Sequence, residues 1–197
     1  MEGFEPLRAA LAEQAAARGA GPILAGLRQV TTGELLCPAA PVRHAADLNA
    51  ELEALCGALR ECVRRRPGWL YFVPSAWALP VAARPRLIQA AVCCFAAGAL
   101  RLPEGRAVIR CEQRGGAAEL TLQGGAGGCD APALLRALAG QAGGCAVIAS
   151  GAPFAAALRL PLAADLPLRP AAQAADLLTD KFSLPYLYLG EYAARPS

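Results

Sequence analysis

Lysine, histidine and asparagine each occur only once in the chain, as Lys181, His44 and Asn49. One histidine leaves no histidine-built metal centre. Ser-His-Asp chemistry would have to run through His44, and none of Ser75, Ser150, Ser183 and Ser197 sits in a nucleophile elbow. No CxxC pair is present. No apolar run is long enough to span a bilayer: the longest, Leu87 to Leu100, lies between Arg86 and Arg101. It is well short of the roughly 20 residues a spanning helix needs, so it reads as a buried helix. The first residues, Met-Glu-Gly-Phe-Glu, lack the basic start and apolar core of a signal peptide, and the expectation is a cytoplasmic protein with no membrane span. Charge is scarce as well. Only 18% of the 197 residues are charged against 55% hydrophobic, which excludes a disordered, solvating chain. The length suits one compact domain, or a small domain with a helical attachment.

What the chain has instead is arginine and cysteine. All basic residues except Lys181 are arginine, in keeping with an alanine- and glycine-rich composition, and the net charge is only +3. The one basic cluster, Arg64-Arg65-Arg66, closes an expected helix and complements its dipole; no aromatic residues interleave with it, and nucleic acid is not expected as a partner. The eight cysteines, Cys37, Cys56, Cys62, Cys93, Cys94, Cys111, Cys129 and Cys145, fall mostly inside apolar periodic segments. They read as reduced thiols used as small hydrophobes, with no metal site.

Three zones follow from periodicity. Residues 4 to 66 predict two helices, about 4–30 and 42–65, joined through Thr31-Thr32-Gly33, Pro38 and Pro41, with a weak point at Gly19-Ala20-Gly21-Pro22. In the second helix Leu48, Leu52, Leu55, Leu59 and Cys62 repeat at four, three, four and three residues, a heptad seam. Two helices cannot bury such a seam alone, so the expectation is a hairpin that pairs with a second copy into a four-helix bundle. Residues 67–162 alternate. A strand over 69–73, a helix over 84–101 and strands over 107–113 and 118–123 joined at Arg114-Gly115-Gly116 come first. A helix over 132–141 and strands over 145–150 and 154–160 follow, making an α+β sandwich with helices on one sheet face. Residues 163–197 are proline-interrupted, with a helical turn near 174–178. Phe182 to Leu189 is too apolar for a free tail and is expected to dock irregularly or as an edge strand, because Pro185 lacks a ladder donor.

The order of elements resembles a bacterial sensor histidine kinase core, a dimerising hairpin followed by a GHKL-type ATPase domain. Arg86-Leu-Ile-Gln-Ala-Ala-Val-Cys-Cys-Phe-Ala-Ala-Gly-Ala-Leu100 is similar to that family's ATP-site helix, L-x-Q-x-L-x-N-L-x-x-N-A. Pro103-Glu-Gly-Arg-Ala-Val-Ile109 resembles its "PeG-x-I-x-I" step into the next strand. Glu119-Leu-Thr-Leu-Gln-Gly-Gly-Ala-Gly-Gly128 resembles its "v-x-V-x-D-x-G-x-G" loop, and Leu134 to Leu162 its GG-to-"lP" ending. The likeness spans about 48 to 162.

The departures fall at the chemistry. The family's magnesium-binding asparagine positions correspond to Cys93 and Ala97, neither a hard oxygen ligand. The adenine-binding aspartate corresponds to Gly124 and the next motif glycine to Ala126, leaving Gly128 as the match. Cys129-Asp130-Ala131 stands where the family inserts a phosphate-covering lid, so the glycine run reads as a flexible stub rather than a phosphate cradle, lacking the lysine and hydroxyl of a phosphate loop. The phosphoacceptor position corresponds to Ala17, and His44 starts the other helix without a following acid. The resemblance therefore implies a degenerate kinase: a signalling scaffold, adaptor or regulator without catalytic residues or cofactor. Its expected partners are a second copy of itself and a response regulator or another kinase. The alternative is an active ATPase or kinase binding ATP and magnesium through atypical ligands. The expected division is 1–66 (hairpin), 67–162 (ATPase-like domain) and 163–197 (docked tail). Glu112 and Glu119 face each other across a hairpin as solvent-side charges, and Trp69, Tyr71 and Trp77 read as core or interface packing.

Overall fold

A computed structural model describes residues 20–37, 41–64, 68–101, 104–180 and 183–193. Its elements are α1 (Ala20–Leu36), β1 (Ala45–Asp47), α2 (Leu48–Val63), β2 (Trp69–Val73), β3 (Pro80–Val81), α3 (Pro85–Ala99), β4 (Arg106–Arg114) and β5 (Ala117–Gly124). They continue with α4 (Ala131–Gln141), β6 (Cys145–Ala149), β7 (Phe154–Pro161), β8 (Leu168–Arg169), α5 (Ala174–Thr179) and α6 (Leu184–Ala193).

The main sheet has the order β2-β4-β5-β7-β6. All its neighbours are antiparallel except β2, which joins β4 in parallel. Gly115 and Gly116, at φ of +52° and +75°, make the two-residue turn between β4 and β5, a conformation that costs other residues a Cβ clash. Alternation decides which face is covered. Ala107, Ile109 and Cys111 of β4, Ala118, Leu120 and Leu122 of β5, and Phe154, Ala156, Leu158 and Leu160 of β7 are buried. The residues between them face away from the helices, so only one sheet face is covered. A small second sheet, β3-β1-β8, ties the chain beyond β7 back to the start of α2. Asp47 caps α2, its Oδ1 accepting from the backbone N–H of Asn49 at 3.0 Å and of Leu79 at 2.9 Å.

Helix α3 is the centre of the molecule. Every residue from Leu87 to Ala96 is buried, which an amphipathic surface helix never shows. Pro85 sits in its first turn, where no intrahelical N–H is needed.

The heptad stripe of α2 has a different destination from the one its spacing suggested. Leu48, Leu52, Leu55 and Leu59 are 0% exposed and Cys62 5% exposed within a single chain. They pack against α6, α5, α3 and β2 of that same chain. The stripe is internal core and is not left open as a dimer seam; periodicity fixes which face of a helix is apolar and not what covers it. Of the first expected helix only Ala20–Leu36 is described, and it lies on α6, α4 and α3. Among the described residues one hydrophobic cluster runs from Ile23 to Leu189. Helix α1 also runs through Thr31-Thr32-Gly33 to Leu36, where a connection was expected. Residues 1–19, including Ala17, and residues 65–66 lie outside the described residues.

The apolar tail adopts a helix rather than an edge strand. Pro185 is the second residue of α6, a position that needs no N–H donor, so the proline initiates the helix instead of interrupting it. Leu184, Leu187, Tyr188 and Leu189 are buried. Among the described residues no helix is long and apolar enough to cross a membrane.

Candidate functional site

Of the positions singled out by resemblance, Gly124 at the end of β5 lies against Ala99 and Phe95 of α3, and Gly128 in the following loop against Cys94, where that loop crosses α3; Cys93 has Cys56 and Cys62 of α2 among its neighbours. The crossing is closed. A Cβ built on Gly98 of α3 would fall inside bonding range of the Gly127 carbonyl carbon and the Gly128 nitrogen, so helix and loop backbones touch directly. At Gly128 a Cβ would meet the Cys94 carbonyl oxygen and lie 2.7 Å from its Sγ. At Gly127 it would run into the Phe154 ring, which packs on Phe95 with centroids 5.4 Å apart. The loop is thus packed onto the helix rather than hanging as a stub. Gly124 is equally confined. A Cβ there would be 2.7 Å from Ala99 Cβ and 3.0 Å from the Arg106 carbonyl oxygen.

Helices α1 and α6 pack on each other and on α3. Arg28 donates through Nε and a terminal nitrogen to the Leu187 carbonyl oxygen at 3.0 and 2.7 Å, and its guanidinium carbon stands 5.2 Å from the Tyr188 ring centroid. Thr32 Oγ1 and the Tyr188 hydroxyl share a buried hydrogen bond of 2.9 Å. Burial raises the Tyr188 phenol well above its ordinary value, the Thr32 bond opposes this, and Cys94, Cys93 and Asp130 add to it.

The thiols here are poor ligands and nucleophiles. Burial holds Cys93 far above the ordinary thiol range, and pushes Cys94 and Cys56 up to about 12 and Cys62 and Cys111 to about 11. Among the described residues no group of three His, Cys, Asp or Glu side chains could hold a metal. His44 is exposed at the start of β1, remote in sequence from any acceptor position. Glu112 pairs with Glu119 in register, and Glu119 makes an ion pair of 3.6 Å with Arg114 on the open sheet face.

One polar pair had no forecast. Glu51, 2% exposed, accepts from Gln89 Nε2 at 3.1 Å, on a cleft of about 500 Å³ also lined by Glu34, Arg84, Arg86 and Arg169. Burial raises its pKa; hydrogen bonds from Gln89 and the Ala172 backbone, then the Arg169 charge, partly offset this. Its signal in the sequence was its place three residues after Leu48, on the apolar stripe.

Sheet order and helix placement find counterparts among solved structures. The Acinetobacter baumannii histidine kinase AdeS superposes with a TM-score of 0.53 at 12% identity, over 80% of this chain and 94% of that one. The chain has a histidine-kinase-like ATPase fold. Full-length ShkA, solved in complex with AMPPNP, matches with a TM-score of 0.54 at 13% identity over 78% of this chain but only 38% of its own length. No protein-family model and no curated protein sequence matches. In this histidine-kinase-like fold two of the positions singled out by resemblance, Gly124 and Gly128, pack against α3. Cys93 is buried, Ala97 carries no side-chain donor, and a Cβ at Gly124 would lie 2.7 Å from Ala99 Cβ. The Gly127–Gly128 backbone lies on the helix itself.

Proposed function

We propose that the protein is a catalytically degenerate histidine-kinase-like chain that acts in signalling as a scaffold, adaptor or regulator, without ATP hydrolysis. The observation that carries this reading is the closed crossing of loop and helix: Gly124 lacks space for even a Cβ, and Gly127 and Gly128 rest on Gly98 and Cys94. At the positions that the resemblance assigns to adenine and magnesium, Gly124, Cys93 and Ala97 offer no carboxylate and no oxygen ligand. The interlock of α1 and α6 through Arg28, Thr32 and Tyr188 supports the same conclusion, because it spends buried surface on a fixed arrangement rather than on a ligand site. Recognition by surface is what remains to such a fold. Incubation with radiolabelled ATP and magnesium is the test. No covalent label and no released phosphate are expected; label on His44 or steady hydrolysis would overturn the proposal.

A further inference from the structure

Both tryptophans of the chain stand in water on one side of the molecule. Trp69 is 56% exposed, Trp77 70% and Tyr71 51%, with Val73 beside them. Strand β2 places Trp69, Tyr71 and Val73 on the sheet face that no helix among the described residues covers, with Trp69 and Tyr71 rings stacked at 6.2 Å. On the neighbouring strand Arg106 lies opposite Trp69 and Arg110 opposite Val73, both exposed. Neither arginine has a carboxylate partner among the described residues, whereas Arg114 at the other end of the strand pairs with Glu119.

The loop that carries Trp77 is held from below. Asn49 of α2, the single asparagine, accepts from Ser75 N at 2.9 Å and donates to the Ser75 carbonyl oxygen at 3.2 Å. Asp47 holds Leu79 N, and Ser75 Oγ accepts from Trp77 N at 3.1 Å. Trp77 is thus presented on a fixed loop above a hollow of about 460 Å³ that Arg110 and Glu112 help to line. Exposed tryptophan, tyrosine and arginine on rigid backbone are the groups that dominate binding energy at protein interfaces, and a prepaid loop conformation lowers the ordering cost of association.

We propose that this face, Trp69, Tyr71, Val73, Trp77, Arg106 and Arg110, docks an acidic, apolar-bearing segment of another protein. Its carboxylates meet Arg106 and Arg110, and its apolar side chains lie against the aromatics. Nucleic acid fits less well: among the described residues two arginines without a carboxylate partner lie here, while backbone binding rests on several phosphate contacts. The proposal stands apart from the nucleotide question, because its test reads peptide binding and not ATP.

A displayed library of random dodecapeptides, selected on the intact chain, supplies the probe. Enriched peptides are expected to combine Asp or Glu with aromatic or leucine residues. A synthetic one should change the fluorescence of the two tryptophans on binding. Trp77→Ala and Arg106→Glu/Arg110→Glu, each checked to melt like the parent, should each weaken it at least about tenfold, or about 1.4 kcal/mol. Peptides without acidic enrichment, or binding indifferent to both variants, overturn the proposal. So does a parent dimer that Trp77→Ala dissociates, or tight binding of oligouridylate to this face.

Discussion

Gly124→Asp puts back the side chain that the resemblance expects and sets it against the geometry of this chain. The new Cβ would lie 2.7 Å from Ala99 Cβ, 3.0 Å from the Arg106 carbonyl oxygen and 3.3 Å from a Phe95 ring carbon. None of these is the free end of a flexible side chain, so β5 or α3 must shift. Overpacking of this kind costs about 1–3 kcal/mol. The carboxylate, set beside a carbonyl oxygen and a phenyl ring, adds a desolvation penalty of its own. For a chain of this size each kcal/mol moves Tm by about 2–4 °C, so steric cost alone lowers it by about 2–12 °C. Gly124→Ala carries the same Cβ without the charge and should reproduce most of that loss. Calorimetric melts with and without magnesium and ATP make the assay. Gly124→Asp is expected to be less stable and equally blind to nucleotide. A variant as stable as the parent, or one whose Tm rises with Mg-ATP, would refute the steric argument.

Three further outcomes follow from the same contacts. Leu52→Ala removes a side chain that is 0% exposed in the single chain and should cost about 2–5 kcal/mol, seen as a lower Tm with unchanged mass in light scattering; an unchanged Tm with a loss of mass would return Leu52 to a dimer seam. Tyr188→Phe leaves Thr32 Oγ1 buried without its partner, at a cost of about 1–3 kcal/mol, and Thr32→Val/Tyr188→Phe should recover part of it; a single variant as stable as the parent contradicts the clamp. Glu51 has a folded pKa raised above its ordinary 4.5, so the folded state binds the extra proton. Its contribution is full below that value and is lost as pH rises through the folded pKa. Melts from about pH 4 to pH 8 should therefore slope less in Glu51→Gln than in the parent, and an equal slope would remove Glu51 as the cause.

The core sheet and α3 were legible because their signals are local: alternation in β4, β5 and β7, the Gly115-Gly116 turn, and an apolar run opened by Pro85. The partner of α2 was not. A heptad stripe looks the same facing a second chain or α6, and α6 lies more than 120 residues later in sequence, beyond the reach of any window. Strands β1, β3 and β8 have 3, 2 and 2 residues, too few for alternation to register. Pro185 was read as a blocked ladder donor, but a proline in a first helical turn loses nothing. At the candidate site the sequence showed which side chains were missing, while the closure of the space they left depends on the Gly98–Gly127 contact, which no periodicity reports.

Calorimetric titration of the intact chain with Mg-ATP tests the central claim most directly. The closed crossing of α3 and the Gly124–Gly128 loop predicts no heat of binding and no rise in Tm up to millimolar nucleotide. Saturable binding, accompanied by the stabilisation of about 2.7 kcal/mol expected at a hundredfold excess over Kd, would contradict it.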